Sequence, residues 1–239
     1  MKSRPQASLR RFRYHLLSAF GLAIVYFLLI HDNKLQQSSP MKSTVVKSDS
    51  LDLEEPLVFH MVFTTGPESL STLNLRSIES VFYHHKTAML RLYTRWSALP
   101  TSLQELGDAG YQIQLVSLNA EDIIENTLSY HSIQEHIDDA ALKAWAKNLS
   151  RWRAEPYWYS NESNLLRICL LLTIGGVYLD TDVILVNSLI DLPDNSMSGR
   201  EGGNFICSAM IFRKPGNLFL AASLNNFVQY YNGRDWGNN

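Results

Sequence analysis

The sequence predicts an α/β fold built on a mostly parallel sheet, and three observations predict it. Runs at residues 57–63, 88–93, 112–118, 177–179 and 205–212 have the length and composition of strands, the first of them apolar enough to be buried. Stretches with helical spacing fill the intervals between them. A pair of carboxylates, Asp180 and Asp182, ends one of those runs, which is where open α/β sheets bind their ligands.

The first residues stand apart from that pattern. Lys2, Arg4, Arg10, Arg11 and Arg13 make a basic head without an acidic residue, and residues 16–30 then run free of charge. Residues 1–13 are expected to be a cytoplasmic tail and 14–31 a transmembrane signal anchor. The positive-inside rule then places the rest of the chain in the lumen. Such a run is short for a span but suits the thinner early secretory membranes. A cleaved signal peptide is the competing reading, and the His31-Asp32-Asn33-Lys34 that follows offers no small-residue cleavage site. Residues 32–56 are polar, without apolar periodicity, and read as a flexible stem.

Residues 57–239 are long enough for one globular domain. Residues 57–63 are the first strand, stopped by Thr64-Thr65-Gly66. Residues 73–84 repeat Leu75, Ile78 and Phe82 at helical spacing. Strands follow at 88–93 and 112–118, and helices at 121–126 and 133–149. Residues 164–174 are apolar on nearly every helical face, so that helix is expected to be buried, with Gly175 as its left-handed C-terminal cap. Strand segments at 177–179 and 183–186 flank the carboxylates, and 205–212 is a strand ended by Lys214-Pro215-Gly216. The net charge of −2 carries no nucleic-acid signature. The two cysteines, Cys169 and Cys207, cannot build a disulfide framework. Cys169 reads as a buried thiol, with a single bridge between the two as the alternative.

The chemistry concentrates around Asp180 and Asp182. Carboxylates this close repel unless a cation or a donor compensates them, and hard oxygen ligands suit Mg²⁺ or Mn²⁺ shared with substrate phosphates. The bland alternative is an exposed acidic turn. Arg167 is the single charge between residues 165 and 179. A buried guanidinium needs a partner, either a ligand or a structural carboxylate such as Glu162. Asn164 shares its helix face at i, i+3. The aromatic cluster Trp152, Tyr157, Trp158 and Tyr159 reads as packing ahead of acceptor stacking. Asn148-Leu149-Ser150 and Asn161-Glu162-Ser163 are glycosylation sequons.

The string Ser163-Asn164-Leu165-Leu166-Arg167, followed by Gly175-Gly176-Val177-Tyr178-Leu179-Asp180-Thr181-Asp182, resembles the donor region of retaining α-glycosyltransferases with a DXD motif. The resemblance is greatest to the α-1,4-galactosyl- and α-1,4-N-acetylgalactosaminyltransferases that extend glycolipids. Ser77-Ile78-Glu79-Ser80 and the stretch from Phe227 to Asp235-Trp236-Gly237 add to it. It implies a GT-A, Rossmann-like nucleotide-sugar-binding domain behind the single anchor, in the Golgi membrane. It also implies UDP-galactose or UDP-N-acetylgalactosamine as donor, a glycolipid acceptor, and Mn²⁺ or Mg²⁺ held by Asp180 and Asp182. Asn164 and Arg167 would face the donor sugar and diphosphate. Phe63 and Thr64 would face the base, with Phe63 stacking on uracil or filling the core. The family usually carries Asp where this chain has Asn164. No catalytic nucleophile is nominated. Residues 231–239 resemble the start of a longer motif, so the expectation is a domain incomplete at its C-terminus. Such a form would expose Phe227, Tyr230 and Trp236, transfer sugar weakly, be retained in the endoplasmic reticulum, or bind donor or a partner glycosyltransferase. Asp180-Thr181-Asp182-Val183-Ile184 also resembles an aspartyl-phosphatase loop, but Lys214 lacks the following acidic pair such an enzyme needs.

Overall fold

The computed structural model of the protein describes residues 56–197, 200–201, 204–205 and 208–234. The expected tail, anchor and nearly all of the stem lie outside these residues, as do Cys207 and Trp236. No helix among the described residues is long and apolar enough to cross a membrane.

In chain order the first half contains β1 (Val58–Phe63), α1 (Thr72–His84), β2 (Met89–Thr94), α2 (Thr101–Asp108), β3 (Gln112–Ser117) and α3 (Ala120–Leu128). A 3₁₀ turn over His131–His136 leads to α4 (Asp139–Ala146), α5 (Leu149–Trp152) and α6 (Trp158–Thr173). Then come β4 (Gly176–Leu179), β5 (Ser196–Met197), β6 (Arg200–Glu201), β7 (Asn204–Phe205), β8 (Ala209–Phe212) and α7 (Leu218–Tyr230). Strands β6 and β7 pair antiparallel as a small hairpin of their own.

The main sheet has six strands in the order β3-β2-β1-β4-β8-β5. Strands β3, β2, β1 and β4 are parallel, and β8 turns antiparallel against β4. The chain winds outward from β1 to β3, then crosses back through the helices to lay β4 on the other side of β1. That reversal makes the C-terminal ends of β1 and β4 a topological switch point, the crevice in which such sheets bind ligands.

Side-chain alternation splits the core between the two sheet faces. Phe59, Met61, Phe63, Leu90, Leu92 and Val177 pack with Ile78, Val81 and Phe82 of α1 and Leu103 of α2. Val62, Tyr93 and Tyr178 pack on the opposite face with α3, α4, α6 and α7. Helix α6 lies in the middle of that second layer, against β1, α3 and α7. This accounts for its apolar circumference: Leu165, Leu166, Cys169, Leu171 and Leu172 are all inaccessible. Each fully buried side chain of that size contributes about 1.5–3 kcal/mol.

Several expectations need correction. Residues 133–149 form a 3₁₀ turn and two short helices, not one continuous element, because Asp138 caps a new start by accepting from Ala141 N–H. Residues 183–186 are not a strand; they run as loop across α1. The strand expected at 205–212 is confined to β8 (Ala209–Phe212) in this sheet, while Phe205 ends the separate hairpin. Cys169, by contrast, is the free, buried thiol expected of it, pushed up to about 12 by burial. Phe227 is buried against Trp145 and Tyr231, contrary to the exposure expected of it, whereas Tyr230 is exposed.

Candidate functional site

The turn after β4 is fixed by two glycines. Gly175 (φ +75°) ends α6 in the left-handed conformation, and Gly176 (φ +106°) starts β4. A β-carbon on Gly176 would stand 2.5 Å from Val58 O and 3.1 Å from His60 Nε2. The Gly-Gly pair therefore lets β4 enter flush against β1.

Two residues after Tyr178 comes Asp180. Its Oδ1 accepts from Arg167 Nη2 at 2.9 Å and from the Tyr178 hydroxyl at 2.8 Å. The guanidinium also lies 4.6 Å above the centre of the Tyr178 ring. Asp180 remains 29% exposed at its side chain, while that of Arg167 is 9% exposed. Burial raises the Asp180 pKa; the Arg167 charge and the tyrosine hydrogen bond oppose that, and Asp182 adds to it. Burial is also the main reason the Tyr178 phenol is held well above its ordinary value. Asp182 is exposed and makes no hydrogen bond or ion pair among the described residues.

The loop carrying the carboxylates is stitched to α1. Asn74 donates from Nδ2 to Thr181 O at 2.9 Å while its Oδ1 accepts from Ser71 N–H in a capping box. Ser77 Oγ donates to Val183 O at 2.5 Å, and Ser80 Oγ accepts from Leu185 N–H at 2.9 Å. On the other side, Asp180 N–H donates to Ser208 O at 2.7 Å. The loop is thus set by partners outside itself.

Across β1 the strand ends are clasped in a second way. Phe63 and Thr94 are register partners at the ends of β1 and β2. Trp96 Nε1 donates to Thr65 O at 2.7 Å, and Arg95 bridges from Thr64 O at 3.4 Å to Glu162 Oε1 at 2.5 Å. Phe63 is 6% exposed, its ring tilted against Trp96 with centres 5.0 Å apart. It fills the core, and Thr64 is the partly exposed residue at this end.

The site residues expected from sequence are distributed as follows. Arg167, Asp180 and Asp182 share the end of β4. Asn164 is partly exposed on α6, one turn before Arg167, with no side-chain hydrogen bond among the described residues. Glu162 pairs with Arg95, so the partner of Arg167 is Asp180 and not Glu162. Trp152 and Trp158 stack on Trp145 in a packing cluster with Phe227 and Tyr231, while Tyr159 is exposed. Asn148 is exposed between α4 and α5. Asn161 is 0% exposed, with its amide toward Tyr231 at 3.5 Å. A glycan cannot sit on Asn161 in this fold. Asn74, Ser77, Ser80, Arg95 and Tyr178 were not given roles from sequence. Asn74, Ser77 and Ser80 recur at three-residue spacing along α1, and Ser77 and Ser80 belong to the string that carries the resemblance.

Hard carboxylate oxygens at a strand end fit Mg²⁺ or Mn²⁺. Asp182 offers both oxygens and Asp180 keeps Oδ2 unbonded. No group of three His, Cys, Asp or Glu side chains converges on a metal among the described residues. A metal here would take its remaining ligands from a phosphate-bearing substrate and water.

A family model described as the glycosyltransferase sugar-binding region containing the DXD motif matches residues 33–200. The chain belongs to this family. Among individual DXD-family relatives, the mouse lactosylceramide 4-alpha-galactosyltransferase is 37% identical over 105 residues, which is 44% of this chain and 28% of that protein. Human alpha-1,4-N-acetylglucosaminyltransferase is 28% identical over 102 residues, 43% of this chain and 29% of that protein. The matched stretch therefore spans little more than a quarter of these relatives. A solved structure titled PaToxG Glycosyltransferase aligns over 74% of this chain and 61% of its own, at 18% identity and a TM-score of 0.48.

Proposed function

We propose that the protein is a retaining α-1,4-hexosyltransferase that moves galactose, or an N-acetylhexosamine, from a UDP-sugar to a glycolipid acceptor. The observation that carries the reading is the carboxylate turn at the switch point: Asp180 buttressed by Arg167 and Tyr178, with Asp182 exposed and unpartnered two residues on. The relatives' printed activities support the α-1,4 linkage and the glycolipid acceptor.

In this reading Asp182 and Asp180 are the residues that would hold a divalent cation. When bound, the metal supplies Lewis acidity to the departing diphosphate. Arg167 and Tyr178 fix the Asp180 carboxylate so that it does not reorient as charge develops. Arg167 also cancels the charge of Asp180, which leaves the two-carboxylate turn near −1. Asn164 presents one acceptor and two donors to sugar hydroxyls. Transfer on the face the diphosphate leaves keeps the α configuration without a side-chain nucleophile. The basic head and the apolar run at 16–30 support a type II Golgi membrane protein with this domain in the lumen.

The test uses the full chain in detergent with Mn²⁺ and radiolabelled UDP-galactose, with and without lactosylceramide. We expect metal-dependent donor hydrolysis or transfer that Asp182→Ala abolishes while the melting temperature stays within the small change typical of an exposed residue. Activity indifferent to chelator, or an Asp182→Ala variant as active as wild type, rejects the reading.

A further inference from the structure

The Arg95–Glu162 bridge is not used by the carboxylate turn, yet it occupies the same edge of the sheet. Glu162 lies on α6, two residues before Asn164, and its side chain is 1% exposed. One oxygen binds Arg95; the other is buried with no hydrogen-bond partner among the described residues. A carboxylate buried this deeply is costly unless something holds it. Arg95 answers that cost from the end of β2 and is itself anchored to Thr64 O at the end of β1.

The guanidinium is not consumed by these contacts. It has five N–H donors, two of which are used, and its side chain remains 45% exposed. A second pair, Arg153 to Glu121 at 2.7 Å, lies within electrostatic reach of the first. The Glu121 pKa is lowered, first by the hydrogen bond from Arg153 and least by Arg95. The surroundings are therefore balanced in charge, and Arg95 offers directional donors more than net positive charge.

Its place in the strand order gives those donors a target. Thr94 and Phe63 are neighbours in register, and β4 lies on the far side of β1. Arg95 therefore stands two strand spacings, about 10 Å, from the strand that ends in Asp180. The span from diphosphate to base in a nucleotide is of the same order, so a nucleotide whose diphosphate sits at Asp180 and Asp182 is long enough to lay its base across β1 at this end.

We infer that Arg95 reads the uracil of the donor, donating its free N–H groups to the carbonyl oxygens of the base, with Glu162 as the positioning residue that holds the guanidinium there. This rests on the donor site proposed above and adds to it the residue that selects the nucleotide. A pyrimidine-dione presents two carbonyl acceptors, whereas adenine presents an amino donor on its pairing edge. A fixed guanidinium therefore discriminates between them.

The experiment measures binding of UDP, ADP and inorganic pyrophosphate to the full chain with Mn²⁺ by calorimetry, for wild type, Arg95→Met, Arg95→Lys and Glu162→Gln. Arg95→Met leaves the buried Glu162 carboxylate unpaired, so melting temperature is read for every variant, and the double variant Arg95→Met/Glu162→Gln, which removes both charges, carries the same test where the single variant does not fold. Loss of a charge-assisted hydrogen bond should weaken UDP roughly 10- to 100-fold in Arg95→Met, leave pyrophosphate unchanged and collapse the UDP-over-ADP preference. Arg95→Lys restores part of the affinity but not the preference, since an ammonium lacks the planar fork. Glu162→Gln shows the same loss of preference at a smaller amplitude. If Arg95→Met binds UDP as wild type does, or weakens pyrophosphate by the same factor, the base-reading role is wrong while the donor site stands. If wild type binds neither UDP nor pyrophosphate, both readings fall together.

Discussion

His60 gives the most quantitative prediction. It sits in the middle of β1 at 0% exposure, one strand away from Tyr178 in register. Its Nε2 lies 2.8 Å from Gly175 O, and its Nδ1 lies 3.1 Å from the Tyr93 hydroxyl. A carbonyl only accepts, so Nε2 carries the proton and Nδ1 accepts from Tyr93. The ring is satisfied as the neutral tautomer. Burial lowers its pKa to about 4, the bond to Gly175 opposes that, and the Arg91 charge adds to it. The unfolded chain takes up this proton near pH 6.5 and the native state near 4. The neutral histidine's contribution is therefore complete above pH 6.5 and lost progressively as pH falls toward 4. At about 1.4 kcal/mol per pH unit, the loss across that window is roughly 3 kcal/mol. Urea unfolding followed by tryptophan fluorescence, from pH 7.5 down to 4, gives the profile for wild type and for His60→Gln. Other groups titrate in both proteins, so the difference between the two curves isolates His60. That difference should shrink by about 3 kcal/mol on acidification. Parallel curves would refute a buried neutral imidazole.

Three further outcomes are expected. Tyr178→Phe keeps the buried ring but removes one of the two donors to Asp180; on the proposed metal role of Asp180, activity should fall roughly tenfold, with stability changed by about 1 kcal/mol or less on a denaturant curve. Gly176→Ala forces a β-carbon against Val58 O at a positive φ, and should destabilise by at least about 2 kcal/mol in the same measurement. If the domain is lumenal, a glycosidase that removes N-linked glycans should produce a mobility shift; Asn148→Gln abolishes it and Ser163→Ala, which destroys the second sequon, leaves it.

Much of the framework was legible because it follows from local rules. β1 is a short apolar run between turn residues, and β2 and β3 are short runs rich in Leu, Ile and Val between turn residues. The second half of α6, residues 165–173, betrays its burial by carrying Arg167 as its one charge among apolar residues, and Gly175 marks its end as a left-handed cap. What sequence could not show arises from tertiary contact. Val183 to Val186 has strand composition, yet its carbonyl and amide bonds go to Ser77 and Ser80 side chains instead of a neighbouring strand. The antiparallel placement of β8 depends on a hairpin-like return that no period reveals. At the site, the carboxylate pair and Arg167 were evident from their types and spacing. The pairing of Arg167 with Asp180, and of Arg95 with Glu162, was not, because partners 13 and 67 residues apart meet only through the fold.

The stitches from Asn74, Ser77 and Ser80 end on backbone atoms of the carboxylate loop, not on its side chains. The loop's shape is therefore encoded in a helix about a hundred residues earlier, while the loop's own letters at Thr181, Val183 and Ile184 are left free of that duty. Diversification can rewrite those letters, and with them the texture of the wall beside the carboxylates, without moving Asp180 or Asp182. The reverse also holds: an innocuous-looking serine-to-alanine change in α1 would detune a distant centre while leaving every residue of the motif in place.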